Sequence, residues 1–178
     1  MHDASVPRYA LLFAAGNFFG PLVLGHLFDT VGRRVMISAT YALSGVLIVG
    51  IECLFLAGWL NANTQTLLWA GTCFFASSAA SAGYLTVSEV FPLEMRALAI
   101  ALFYVIGTAV GGLVAPFFFG SLIETGKPEA IAIGYFVGAG LMIVAAVVEW
   151  VMGIATERKS LEEIASPLMS EEAPAMAS

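Results

Sequence analysis

Two short stretches hold the residues whose types and spacing could do chemistry. "GHLFDTVGRR", residues 25–34, carries Asp29, Arg33 and Arg34, and "SEVFPLEMR", residues 88–96, carries Glu89 and Arg96. These groups suit pairing. A guanidinium is a planar fork that can grip a carboxylate through two bonds. Gly32 permits a sharp turn between Asp29 and the arginines, and Pro92 breaks the path between Glu89 and Arg96. Asp29 is placed to reach Arg96 or the start of the fourth apolar run, where a helix amino end carries about half a positive charge. Glu89 is placed to reach Arg33 or Arg34. An exposed pair contributes only about 0–1 kcal/mol, but a partly buried set is worth more, on the scale at which conformers interchange.

Other chemistry has little footing. No phosphate-binding glycine loop, nucleophile–base set or His/Cys/acid cluster of ligand spacing is visible, so an enzyme is not expected, nor a cofactor or a metal site. Cys53 and Cys73 sit inside apolar segments and read as packing residues.

The elements that position the charges follow from composition. The 178 residues are 60% hydrophobic and 11% charged, with a mean hydropathy of +0.91. Soluble domains carry about 25% charged residues. Five apolar runs, about 9–28, 35–60, 67–90, 97–123 and 130–154, are each long enough to cross a hydrocarbon core, which takes roughly 20 helical residues. A bilayer obliges each span to satisfy its own backbone hydrogen bonds, so they are predicted to be helices. Barrel strands would be about ten residues long and alternate in polarity. The fold class is therefore all-α integral membrane, and the lipid bilayer is its first partner. Residues 1–8 read as a short extracytoplasmic leader, 9–155 as the transmembrane domain and 156–178 as a polar tail. In that tail Ser160 and Glu163 form a capping box for a short helix at about 161–166.

Five of the seven basic residues, Arg33, Arg34, Arg96, Arg158 and Lys159, fall on one predicted side. By the positive-inside bias that side is cytoplasmic, with the carboxyl terminus. The leader contains an acid and precedes a run longer than a signal core, so the first run reads as a span. An acidic chain, of net charge −6, is a poor partner for nucleic acid.

Within the runs, "ASSAASAG" (residues 76–83) and Gly107, Gly111, Gly112, Pro116 and Gly120 suggest close or breakable helix packing, with Gly107 and Gly111 as a small-residue face. Glu52 and Glu149 are ionisable groups in apolar surroundings, which raises proton coupling. At 1.5 Å per residue, however, Glu52 lies about 25 Å into a core of roughly 30 Å, near the outer surface. Glu149 lies about 7 Å from the inner end of its run, and both are expected to reach interfacial water. His26 reads as a packing or interfacial residue. Asn17, among Gly16, Gly20 and Pro21, reads either as a cavity-lining amide or as an interhelical hydrogen-bonding one.

"GHLFDTVGRR" resembles the loop signature of the major facilitator superfamily, Gly-x-x-x-Asp-x-x-Gly-Arg-Arg, matched at Gly25, Asp29, Gly32, Arg33 and Arg34. "YLTVSEVFPLEMRALA" is similar to the second signature of the sugar-porter and metabolite-symporter branches, matched at Glu89, Phe91, Pro92 and Arg96. "ERKSLEEIA" resembles the tail after their last helix. The resemblance implies five helices forming most of one six-helix half, the eighth to twelfth of a twelve-helix transporter. The amino-terminal half and the seventh helix are then missing, or supplied by a companion chain, and the sequence reads as a truncated fragment. It implies secondary active, alternating-access transport of a small organic solute, with or without a proton. Its cytoplasmic charge network would gate the cavity. Helix three becomes a cavity wall, so Tyr84 is a candidate solute contact, while Trp69 is a cavity contact or an interface anchor. The helices holding Glu52 and Glu149 become peripheral supports. The rival reading is a small structural or partner-binding membrane protein with no transport of its own.

Overall fold

The computed structural model describes residues 6–154. The expected tail with its helix at 161–166, and most of the expected leader, lie outside the described residues. The helices are α1 (Val6–Thr30), α2 (Arg33–Leu56), α3 (Ala62–Val90), α4 (Leu93–Ala109), α5 (Ala115–Glu124) and α6 (Pro128–Met152). A π-helical segment, Val110–Val114, runs between α4 and α5, so Leu93–Glu124 is one rod of 32 residues. Five rods and no strand are present among the described residues, as the apolar runs predict. Four of them are long and apolar enough to cross a membrane. The other, α3, is the longest helix at 29 residues and is diluted by serine and threonine.

Local chemistry shifts several boundaries away from those of the apolar runs. α3 starts at residue 62 rather than 67 because Asn61 and Thr64 form a reciprocal capping box, which satisfies donors at the helix start. The polar "NANTQT" therefore supplies the first turn. α2 ends at Leu56, earlier than expected, where Gly58 turns at φ 74. Between α1 and α2 the whole connection is Val31 and Gly32, and Gly32 has φ 118 and ψ 133, a conformation open essentially to glycine alone. The π-segment falls where Gly111 and Gly112 precede Pro116. Proline lacks an N–H and crowds the carbonyl four residues back, and a widened turn relieves both problems.

Several hydroxyls in the spans close on their own helices. Thr40 donates to Met36 O, Ser44 to Thr40 O, Thr72 to Leu68 O and Ser78 to Phe74 O, so these polar groups enter the bundle without orphaned donors.

α3 packs between α1 and α2, and α2 packs against α6 on its far side. Small residues make this close. A Cβ placed on Gly16 would stand 2.6 Å from Ala70 O, and one on Gly20 would run into Phe74 O. On the other seam, a Cβ on Gly45 would stand 3.0 Å from Ala139 O. Ala79, Ala132 and Ala139 are fully buried. The core beneath the charged hinge is Phe28, Ile37, Ala79 and Ala82, with Leu24, Met36 and Tyr41 against it. The glycine face expected on the fourth rod is not used in this way. Gly107 and Gly111 have nothing within 4 Å of a built Cβ, and no residue of α4, the π-segment or α5 is buried. Aromatic contacts hold this rod in place, Tyr84 to Phe103 at 5.3 Å and Phe119 to Tyr135 at 5.1 Å.

Candidate functional site

The two-residue connection brings Arg33, the first residue of α2, back over the end of α1. From there the guanidinium reaches two acids. Its Nη2 donates to Asp29 Oδ1 at 3.3 Å, and its Nη1 donates to Glu89 Oε2 at the end of α3. One arginine therefore joins three helices. Its side chain is 13% exposed and that of Glu89 is 21% exposed, against 64% for Asp29. The Glu89 arm is thus the shielded one, and the Asp29 arm faces solvent. A cavity of about 150 Å³ opens beside the pair, lined by Gly25, Asp29 and Arg33 with Ser78 and Ser81 of α3.

Arg34 takes a different partner from the one expected. Its Nε donates to the backbone carbonyl of Trp150 at 2.8 Å, its Nη2 donates to the same oxygen, and its guanidinium carbon lies 5.8 Å from the Trp150 ring centroid. Trp150 is in the last turn of α6, where free carbonyls and the negative end of the helix dipole favour a cation. The arginine pair is split in function: Arg33 joins α1, α2 and α3, and Arg34 ties α2 to the end of α6.

Arg96 does not meet Asp29. Asp29 pairs with Arg33 instead, and Arg96 forms no ion pair among the described residues. Its Nε is buried without a hydrogen-bond partner. The reason is local: once Gly32 folds Arg33 onto the end of α1, Asp29 finds a cation across a short loop, which costs far less closure entropy than a distant one.

Asn17 and Tyr84 do not form one site. Asn17 is exposed and contributes its backbone carbonyl, which accepts from Ser77 Oγ at 2.9 Å across the α1–α3 seam. Tyr84 packs against Phe103 and Tyr104, and no hydrogen bond joins it to Asn17. His26 is exposed on α1, and its carbonyl accepts from Thr30 Oγ1.

One further reading needs correction. Glu52 does not reach interfacial water: it is fully buried, and its Oε1 accepts from Trp69 Nε1 at 3.2 Å. Trp69 is accordingly an interhelical partner, stacked on Tyr135 with ring centroids 4.5 Å apart. Glu149 also has a shielded oxygen, Oε1, with no hydrogen-bond partner. Sequence reasoning missed Trp150 as the Arg34 partner and the Glu52–Trp69–Tyr135 set. One signal was available for the set: residues 52 and 69 stand near facing ends of two antiparallel helices joined by a short loop.

The chain is thus an all-helical bundle with four rods long and apolar enough to cross a membrane and a hinge arginine clamped by two acids. The family model of the Major Facilitator Superfamily matches residues 5–174, and the chain belongs to that family. Searches among curated proteins and among solved structures return no match. Membership makes the protein a multi-pass membrane protein of a transporter family, with the bilayer as its environment and a small solute as its cargo in general terms.

Proposed function

We propose that the chain is the carboxyl-terminal helix set of a secondary active transporter for a small organic solute, of the sugar-porter or metabolite-symporter kind. It works by alternating access together with a companion set of helices. The Asp29–Arg33–Glu89 clamp is its latch on the cytoplasmic face. It is closed when the cavity faces outward and parted when the cavity faces inward, and Gly25 and Gly32 give it room. The observation that carries this reading is the bridge from Arg33 to both acids, because it spans three helices with a single cation. Its solvent-facing arm is worth about 0–1 kcal/mol, and the shielded arm is worth more. The total is of a size that a solute's differential binding can overcome. The bare fourth rod supports the need for companion helices, since its small residues have no protein partner here. The distribution of basic residues supports a cytoplasmic placement of the latch and of the carboxyl end.

The test is solute-coupled flux in proteoliposomes, with the full chain alone and co-reconstituted with a six- or seven-span companion. Flux that requires the companion and is altered by Glu89→Gln supports the proposal. Flux indifferent to Glu89→Gln removes the latch, and no flux with any companion favours the structural rival.

A further inference from the structure

Glu52 heads the fully buried side chains in size among the described residues. It lies in the last two turns of α2, at the opposite end of that helix from the Arg33 clamp. Its Oε1 has one hydrogen bond, from Trp69, and its Oε2 has none. No arginine or lysine among the described residues forms an ion pair with it. A carboxylate removed from water without a counter-charge is costly, and either a proton on the acid or a cation close by relieves that cost.

The surroundings indicate what kind of group fits. Trp69, the donor to Glu52, is also a wall of a cavity of about 310 Å³ between α1, α2, α3 and α6. The other walls include Phe13, Ile48, Cys73, Tyr135 and Met142. The volume is that of a small-ligand site, commonly about 300–1,000 Å³. Trp69 lies on Tyr135, and Tyr135 meets Phe119 at 5.1 Å, so the aromatic wall is built and continuous. Indole and phenol faces attract cations. Of the two hydroxyls on the wall, Thr72 is committed to Leu68 O, and only that of Tyr135 is left to hydrogen-bond a polyol. A divalent metal would need about six oxygens, and one acid does not supply them. An anion would be repelled by Glu52.

We infer that this cleft is a binding site for a monovalent organic ammonium, with Trp69 and Tyr135 as its cation-binding faces and Glu52 as the fixed counter-charge behind Trp69. The inference stands apart from the latch and from transport: it needs only a ligand that reaches the cleft.

The full chain, reconstituted in phosphatidylcholine vesicles with Trp59→Phe and Trp150→Phe, makes Trp69 the reporting indole. Benzyltrimethylammonium is expected to change its emission saturably, and neopentylbenzene, the neutral isostere, is not. Glu52→Gln keeps an acceptor for Trp69 Nε1 and is expected to weaken the ammonium about tenfold or more. In a Cys53→Ser background, the same ammonium is expected to protect Cys73 from a thiol reagent. Equal responses to both probes overturn the inference, as does unchanged ammonium affinity in Glu52→Gln, which would mean that the acid is held by a proton alone. Failure to protect Cys73 overturns it as well.

Discussion

Arg33 Nη1 donates to Glu89 Oε2, tying the first residue of α2 to the last turns of α3 across 56 positions of sequence. The bond is flanked by Phe28, Ile37, Ala79 and Ala82 beneath it and by Asp29 on its solvent side. A single cation therefore has one shielded and one wet partner, and the two should differ in worth.

Glu89→Gln is expected to lower the unfolding free energy of the purified chain by about 1–2 kcal/mol, between the values for exposed and buried pairs. Asp29→Asn should cost under about 1 kcal/mol, and its effect should fade in high salt while that of Glu89→Gln persists. Denaturant titration in mixed micelles at two ionic strengths separates them. Equal costs would contradict the unequal shielding of the two arms.

Asp29 and Arg96 should behave as independent sites. In a double-mutant cycle of Asp29→Asn with Arg96→Gln, the effects on stability should add to within about 0.5 kcal/mol. Arg33→Gln with Glu89→Gln should show coupling above that.

Gly16→Ala and Gly20→Ala should each cost about 1–3 kcal/mol, since a methyl group there meets a backbone carbonyl of α3 rather than a movable side chain. Gly107→Ala and Gly111→Ala meet open space and should be neutral or gain up to about 1 kcal/mol from helix propensity. Thermal unfolding of the four variants tests the ranking.

Arg34→Ala should loosen the end of α6. Backbone amides around Trp150 should exchange with deuterium several-fold faster, in keeping with a capping interaction of about 1 kcal/mol. Arg34→Lys should recover only part of the protection, because an ammonium cannot present the two-pronged fork that Nε and Nη2 make to one oxygen.

Gly32→Ala should destabilise by about 1–3 kcal/mol, because a Cβ is strained at φ 118. Its effect should include loss of the Arg33 bridges, which the turn sets up. A near-neutral Gly32→Ala in the same unfolding assay would contradict that dependence.

How much of this was legible depends on the range of the physics. The five rods could be read because twenty apolar residues in lipid have few options other than a helix, and the hinge could be read because a glycine between an acid and two arginines has few other uses. The pairing inside the hinge was less legible. Arg33, Arg34 and Arg96 are chemically alike, and only the path of the chain through Gly32 decides that Asp29 takes Arg33 and that Arg34 turns to α6. Glycines were the least legible of all. Gly16 and Gly107 sit in equally apolar runs, but one is pressed against a neighbour and the other is bare, which is a property of the partner helix. Glu52 reads as reaching water when its helix is taken alone; its place near the far end of α2 stands, but Trp69 of the next helix covers the acid.

The α1–α3 seam also limits how the molecule can move. Along Gly16 and Gly20 the two backbones touch with no cushion of side chains, and Ser77 rivets them through Asn17 O. Rolling either helix about its long axis would drive a carbonyl into an α-carbon. The pair is therefore a single stiff beam that can tilt but not twist, and large rearrangements must be taken up by the loosely held Leu93–Glu124 rod.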